Sequence, residues 1–182
     1  EVPLCDTTRY LPWLLAQFHA RGGKLERREV TSLEQGFAAA DTIVNCTGLG
    51  ARALCQDSEL RPVRGQVLKL RGVQLDHAWI DDTAAQPIYV LPRHDDIIVG
   101  GTAQRDDENL RVDAADSARM LADAYHRFPQ LKGATVASAA VGLRPFRGSI
   151  RLEAATFGHG RTVIHDYGHG GSGFTVAWGC AA

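Results

Sequence analysis

The first periodic segment is Tyr10, Leu11, Leu14, Leu15 and Phe18, spaced as one face of a helix. It predicts a helix starting near Thr7-Thr8, which can cap it, and stopping at Gly22-Gly23. Pro12 falls in or near the first turn, where a missing N–H costs little. Leu25 to Val30 reads as a strand of alternating character. Asp41-Thr42-Ile43-Val44-Asn45-Cys46 reads as a stronger strand, its unbroken apolar run typical of one covered on both faces. Gly48-Leu49-Gly50 and a short helical Ala51–Leu54 follow.

From Arg61 the pattern changes to strands separated by turns. Val63 to Leu70 alternates, Ala78 to Ile80 is a short strand, and Ile88 to Leu91 ends at Pro92. His94-Asp95-Asp96 is a hairpin turn into Ile97-Ile98-Val99 and then Gly100-Gly101-Thr102. A charged loop, Gln104–Arg111, leads to a second helix over Asp113 to Phe128. Met120, Leu121, Ala124, Tyr125 and Phe128 share one of its faces, and Pro129 ends it. Val136 to Leu143 is another strand, with Arg144-Pro145-Phe146-Arg147 at its end. Repeats and low-complexity segments are absent from the sequence.

The closing stretch carries the densest signal. Val163-Ile164 enters as a strand, Gly168, Gly170, Gly171 and Gly173 crowd the turn, and Phe174–Trp178 leaves as a helix. A strand, a glycine turn and a helix N-terminus together present free N–H groups and partial positive charge, which suit an anion or an electron-rich ring. The alternative is a crowded turn that needs small residues for packing. Gly168–Gly173 satisfies G-x-G-x-x-G, a weak match in a glycine-rich chain. The strand–Gly-x-Gly–helix unit at Gly48 carries the same ambiguity.

Composition narrows the classes. A net charge of −1 gives no reason to expect nucleic acid or an anionic membrane as partner. Apolar runs fall short of the roughly 20 residues of a membrane-spanning helix. Cys5, Cys46, Cys55 and Cys180 show no C-x-x-C spacing, so neither a disulfide framework nor a metal site is expected, and a reducing compartment fits best. The cytoplasm is the expected location, with a peroxisomal address left open. Glu1-Val2-Pro3 has neither initiator Met nor signal peptide, and the last helix is barely two turns, so the chain is expected to be part of a larger protein.

Chemistry is sparse. There is no G-x-S-x-G, and Ser172 has no base linked to it by sequence. His165 and His169 are four apart but across a turn rather than on a helix face, so with His159 they read as packing or supporting residues. Arg144, held extended by Pro145, could grip a carboxylate with its planar fork, or form an ion pair with Glu153 or Asp166. Tyr89 is either a core aromatic or a phenol aimed at the same pocket.

Ile164-His165-Asp166-Tyr167-Gly168-His169-Gly170-Gly171-Ser172-Gly173, with Gly179 and Ala181 beyond, resembles the signature of the D-amino-acid oxidase family. Asp166 departs from it, standing where the family usually has asparagine or another non-acidic residue. Val141–Arg147 is similar to the family's substrate-arginine strand, Asn45-Cys46-Thr47-Gly48 to a flavin-contacting strand end, and Tyr89-Val90-Leu91-Pro92 to its active-site tyrosine segment. The four agree in order and spacing. The family's opening strand, G-x-G-x-x-G and helix have no counterpart here, which bears on FAD binding because that turn normally holds the pyrophosphate.

The resemblance implies an α/β (α+β mixed) fold: a partial FAD-binding Rossmann-like domain, residues 1–60 and 151–182, with a mixed β-sheet substrate domain at 61–150. It implies Arg144 on the amino acid carboxylate, Tyr89 on the same group and Gly171 offering its carbonyl to the amine. Val30, Thr47, Gly48, Gly170, Gly171, Ser172, Gly173, Phe174 and Thr175 would contact FAD. The family's second tyrosine falls near Ala85, and the short loop Asp81–Pro87 implies a more open site with faster product exchange.

The implied activity is FAD-dependent oxidative deamination of D-amino acids with neutral side chains, giving 2-oxo acids, ammonia and hydrogen peroxide. The partners are then a small D-amino acid and dioxygen, and a homodimer is one option for assembly. A D-aspartate oxidase is the rival and needs a further cation, for which Arg105, Arg147 and Arg64 are candidates beside the alternative of surface arginines. A non-catalytic fragment without flavin is the reading from another class.

Overall fold

The structure, a computed structural model, describes residues 4–83 and 87–182. Its helices are α1 (Thr7–Ala20), α2 (Ala51–Leu54), α3 (Ala114–Arg127) and α4 (Gly173–Cys180). Its strands are β1 (Thr42–Asn45), β2 (Arg61–Arg71), β3 (Trp79–Asp81), β4 (Ile88–Pro92), β5 (Ile97–Gly100), β6 (Gln104–Arg105), β7 (Thr135–Phe157) and β8 (Arg161–His169). They form one mixed sheet in the order β1-β8-β7-β2-β5-β4-β3, with β6 also on β2. β1 runs parallel to β8, whereas the other pairs are antiparallel.

The alternation in β2 decides which face does what. Its even positions are buried and its odd positions from 63 to 69, Gly65 apart, are half-buried. Leu68 and Leu70 join Ile88, Val90, Ile97 and Val99 beneath Met120, Ala124 and Phe128 of α3, which makes the main core. Arg64, on that same face, is 2% exposed. It donates to the carbonyls of Asn109 and Arg111 at 2.7 Å, to Gln104 Oε1 at 2.6 Å and to Gln66 Oε1 at 3.0 Å. The buried cation thereby organises the polar loop before α3, and burial without those partners would be prohibitive. The opposite face is left for Arg144 and Tyr89.

Several local expectations need correction. Asp6, not Thr7 or Thr8, caps α1, its carboxylate accepting from the Thr8 amide at 3.0 Å. Residues 25–30 form no strand: they pair with no neighbour among the described residues, and Leu25 is 69% exposed. Alternation alone cannot hold a strand without a ladder. β1 is covered on one face only, since Val44 is 59% exposed. The loop Gln104–Arg111 contains β6. The strand expected to end at Leu143 continues through Pro145 to Phe157, because β7 changes partner from β2 to β8 across a register shift between Phe146 and Arg151.

Candidate active site

Two features meet where β7 changes partner. Arg144 lies opposite Val63, and Gly142 opposite Gly65, so Arg144 leans over a position without a side chain. A Cβ added at Gly65 would run into the Arg144 guanidinium. One guanidinium nitrogen donates to the Thr102 carbonyl at 3.0 Å. Tyr89 lies opposite Gly100 on the same face, its ring covering Gly100 and Gly101. Glycines at 65 and 100 let two large polar side chains lie across the sheet.

Neither carboxylate that could have neutralised Arg144 does so. Glu153 pairs with Arg151 at 2.7 Å, and Asp166 approaches His169 Nε2 at 3.1 Å. Burial pushes the Tyr89 phenol above its ordinary pKa, and the Arg144 guanidinium beside it offsets part of that rise. Tyr89 is therefore a neutral hydrogen-bond donor at physiological pH.

The glycine turn arrives from the other side. Gly168 and Gly170 have φ of +88° and +57°, values that favour glycine. The Gly170 amide donates to the Pro145 carbonyl at 2.8 Å, tying the turn to the residue after Arg144. A Cβ at Gly171 would touch Arg144 Cδ at 3.6 Å. Ser172 folds back, its Oγ donating to the His169 carbonyl at 2.8 Å. The first amide of α4 bonded within its own turn is that of Val176, to the Ser172 carbonyl. Those of Gly173, Phe174 and Thr175 are thus left to point out of the helix end.

A cavity of about 430 Å³ lies here. Gly48, Arg144, Gly170, Gly171, Gly173 and Phe174 are on its wall. Thr47 instead braces the neighbouring turn, its Oγ1 donating to Asn45 Oδ1 at 2.7 Å. Val30 lies in the irregular segment after α1, 39% exposed, and Thr175 is exposed. Ser172, Thr175, Val30 and Tyr89 are outside the residues that line this cavity. Ala85 and its neighbours, with the shortened-lid expectation, lie outside the described residues.

The three arginines considered for a second carboxylate separate cleanly. Arg64 is consumed on the α3 face, and Arg147 is held by Asp57 at 3.0 Å and Glu59 at 3.2 Å. Arg105, opposite Val63 in the β2–β6 ladder, shares the face of Arg144 and stacks on Phe146 at 5.4 Å.

Sequence reasoning missed the supports. Asn45, 3% exposed, hydrogen-bonds His165 Nδ1 at 3.2 Å and the Thr47 amide at 3.2 Å, joining β1, β8 and the Gly48 turn. Tyr167 donates to Asp57 Oδ2 at 2.9 Å and accepts from Arg151 at 2.7 Å. A glycine inside the alternating β2 was the available signal for the Arg144 berth. The long-range pairings had none.

A mixed sheet with an arginine on one side of a cavity and a glycine turn leading into a helix on the other defines a ligand-binding α/β protein. Residues 4–182 match the model of the DAO family, FAD dependent oxidoreductase, and the chain belongs to that family. It is 42% identical to the D-amino-acid oxidase of Streptomyces coelicolor over 184 residues, all of this chain and 57% of the relative. It is 38% identical to the D-aspartate oxidase of Homo sapiens, over 97% of this chain and 52% of the relative. It spans little more than half the length of these curated relatives. Glycine oxidase from Geobacillus kaustophilus shares the fold at a TM-score of 0.66 and 20% identity, over 76% of this chain and 39% of that one.

The residues fit the family's cofactor. The cavity wall beside α4 is glycine main chain, which lets a flat ring approach closely, and the outward amides of α4 suit its electron-rich edge.

Proposed function

We propose that this chain supplies the substrate grip and the ring-facing wall of an oxidase that deaminates D-amino acids with neutral side chains. The observation that carries this is that Arg144 and the turn Gly170, Gly171 and Gly173 line one cavity, which sets a cation against the amide-rich turn. Residues 61–150 form the substrate region, and 1–60 with 151–182 the flavin region.

In this reading Arg144 binds the substrate carboxylate through parallel N–H donors, and the neutral Tyr89 phenol donates to the same group. The Gly171 carbonyl accepts from the substrate amine, which fixes the Cα–H toward the cavity. Gly48, Gly170 and Gly173 keep the wall thin, while the amides of Phe174 and Thr175 stabilise the negative charge that gathers at their end of the site. Val30, Thr47 and Ser172 belong to the same flavin-side surroundings. FAD, when bound, would supply the hydride acceptor for the α-hydrogen and the two-electron route to dioxygen that yields hydrogen peroxide. The imino acid hydrolyses in water to the 2-oxo acid and ammonia. No side chain moves a proton at Cα; the chain's contribution is position and charge.

A second reading, a preference for acidic D-amino acids, has one observation in its favour: Arg105 lies on the Arg144 face without, among the described residues, the carboxylate clamps that hold Arg64 and Arg147. Oxygen uptake with D-alanine and with D-aspartate separates the two, and loss of the D-aspartate rate in Arg105→Leu would support the second. A yellow preparation that consumes oxygen with either substrate supports an oxidase. A colourless one that stays inactive with added FAD sinks it in favour of a non-catalytic fragment.

A further inference from the structure

Three metal-ligating side chains converge beside the glycine turn, with a fourth, Cys46, near one of them. Asp166 and His169 come from the end of β8, Cys180 from the last residue of α4, and Cys46 from the residue after β1. One ligand atom each from Asp166, His169 and Cys180 lie within 4.8 Å of one another. His169 Nε2 is 3.1 Å from Asp166 Oδ1 and 3.5 Å from Cys180 Sγ, and Cys46 Sγ is 3.9 Å from Asp166 Oδ2.

We infer that Asp166, His169 and Cys180, with water in the fourth position, form a binding site for one borderline-soft divalent cation, Zn²⁺ by preference. Bond lengths of roughly 2.0–2.3 Å put the ligands of a tetrahedral zinc about 3.3–3.8 Å apart. The two His169 separations lie close to that range before any adjustment. Mixed sulfur, nitrogen and oxygen ligands suit zinc rather than magnesium or calcium.

A second, independent observation points to a cation. Asp166 Oδ1 is buried and has no hydrogen-bond partner among the described residues, although His169 Nε2 is only 3.1 Å away. The imidazole stands beside that oxygen without donating to it. A buried carboxylate oxygen that accepts no hydrogen bond is unfavourable. A cation between the two atoms would use both lone pairs. Binding would exchange the Cys180 S–H proton, released to solvent, for a metal–sulfur bond.

The site would be structural. α4 meets α1 through Phe174 and Trp178, both against Tyr10. A metal at Cys180 would fasten its far end to β8, and so steady the Gly170–Gly173 turn. Cys46, Asp166 and His169 also line the cavity, so the ion would neighbour the flavin without depending on it.

The test is titration of chelator-stripped protein with Co²⁺ alone. One equivalent should bind with the strong d–d absorption of a tetrahedral, thiolate-ligated ion, at wavelengths beyond any flavin band, and Zn²⁺ should displace it. Cys180→Ser and the isosteric Asp166→Asn should each weaken binding by at least about tenfold, the loss that even outer-sphere partners cause. Cys5→Ser, away from the site, should not. Zn²⁺ should raise the Tm of the unsubstituted chain and leave that of Asp166→Asn unchanged. Weak octahedral-type absorption, no binding, or an affinity in both site variants equal to that of the unsubstituted chain overturns the site, whether or not the protein is yellow.

Discussion

Arg144 owes its position to Gly65. The arginine lies over the glycine's Cα, in space that any side chain at 65 would occupy, while a side chain at Gly171 would meet its stem from the other side. The guanidinium is thereby fixed by an absence on one strand and by a turn from another. Gly65→Ala should displace it without removing any polar group. The expected outcome is a rise of about tenfold in KM for D-alanine, with a smaller fall in kcat, because a carboxylate grip acts largely in the ground state as well. Steady-state oxygen-uptake kinetics measure the split; an unchanged KM would mean the guanidinium is not where the substrate binds.

Arg144→Lys keeps the charge and removes the fork. An ammonium cannot make two parallel bonds to a carboxylate, and it would still have to reach past Gly65. Losing one charge-assisted hydrogen bond is worth about 1.5–3 kcal/mol, so kcat/KM should fall on the order of 10- to 150-fold. Near-normal kcat/KM in this variant would show that point charge suffices and that the planar geometry carries nothing.

Much of this arrangement could be read from the residues, and the parts that could not have identifiable causes. β2, β4, β5 and α3 were legible because each is periodic and buries one face against the other. The segment from Leu25 to Val30 had strand-like alternation but no ladder, and β7 ran past Pro145, where a proline ordinarily argues for an end. Its continuation depends on β8, a pairing no local pattern encodes. The glycine turn was visible as composition, yet its place on one cavity wall with Arg144 is a tertiary fact. The approach of Cys46 to Asp166 joins positions 120 residues apart, and spacing rules look only at neighbours.

Arg64 offers a stability test that leaves the Arg144 face alone. Removing it strands Gln104 and the carbonyls of Asn109 and Arg111, and leaves Asp116, 13% exposed, without its cation at 3.5 Å. Breaking a buried ionic network by deleting one member costs about 3–5 kcal/mol. Arg64→Ala should therefore lower the urea midpoint strongly, whereas Arg52→Ala, whose pair with Glu108 is exposed on both sides, should change the unfolding free energy by no more than about 1 kcal/mol and the midpoint little. Similar midpoints for the two variants would show that the loop before α3 does not need its buried cation.

His165 sets the acid limit. Burial lowers its pKa from the ordinary 6.5, the Arg151 charge lowers it further, and Glu153 and Asp57 oppose them. The Asn45 amide at 3.2 Å is a natural donor to Nδ1, which makes that nitrogen an acceptor and the ring neutral. The unfolded chain takes up the proton first, so the neutral ring's contribution is complete above about pH 6.5 and declines as the pH falls below it. Urea midpoints measured from above neutrality down to about pH 5 should drop more steeply for the unsubstituted chain than for His165→Gln, which has no proton to gain. Parallel profiles would mean that His165 titrates alike in both states and that the joint between β1 and β8 is indifferent to its charge.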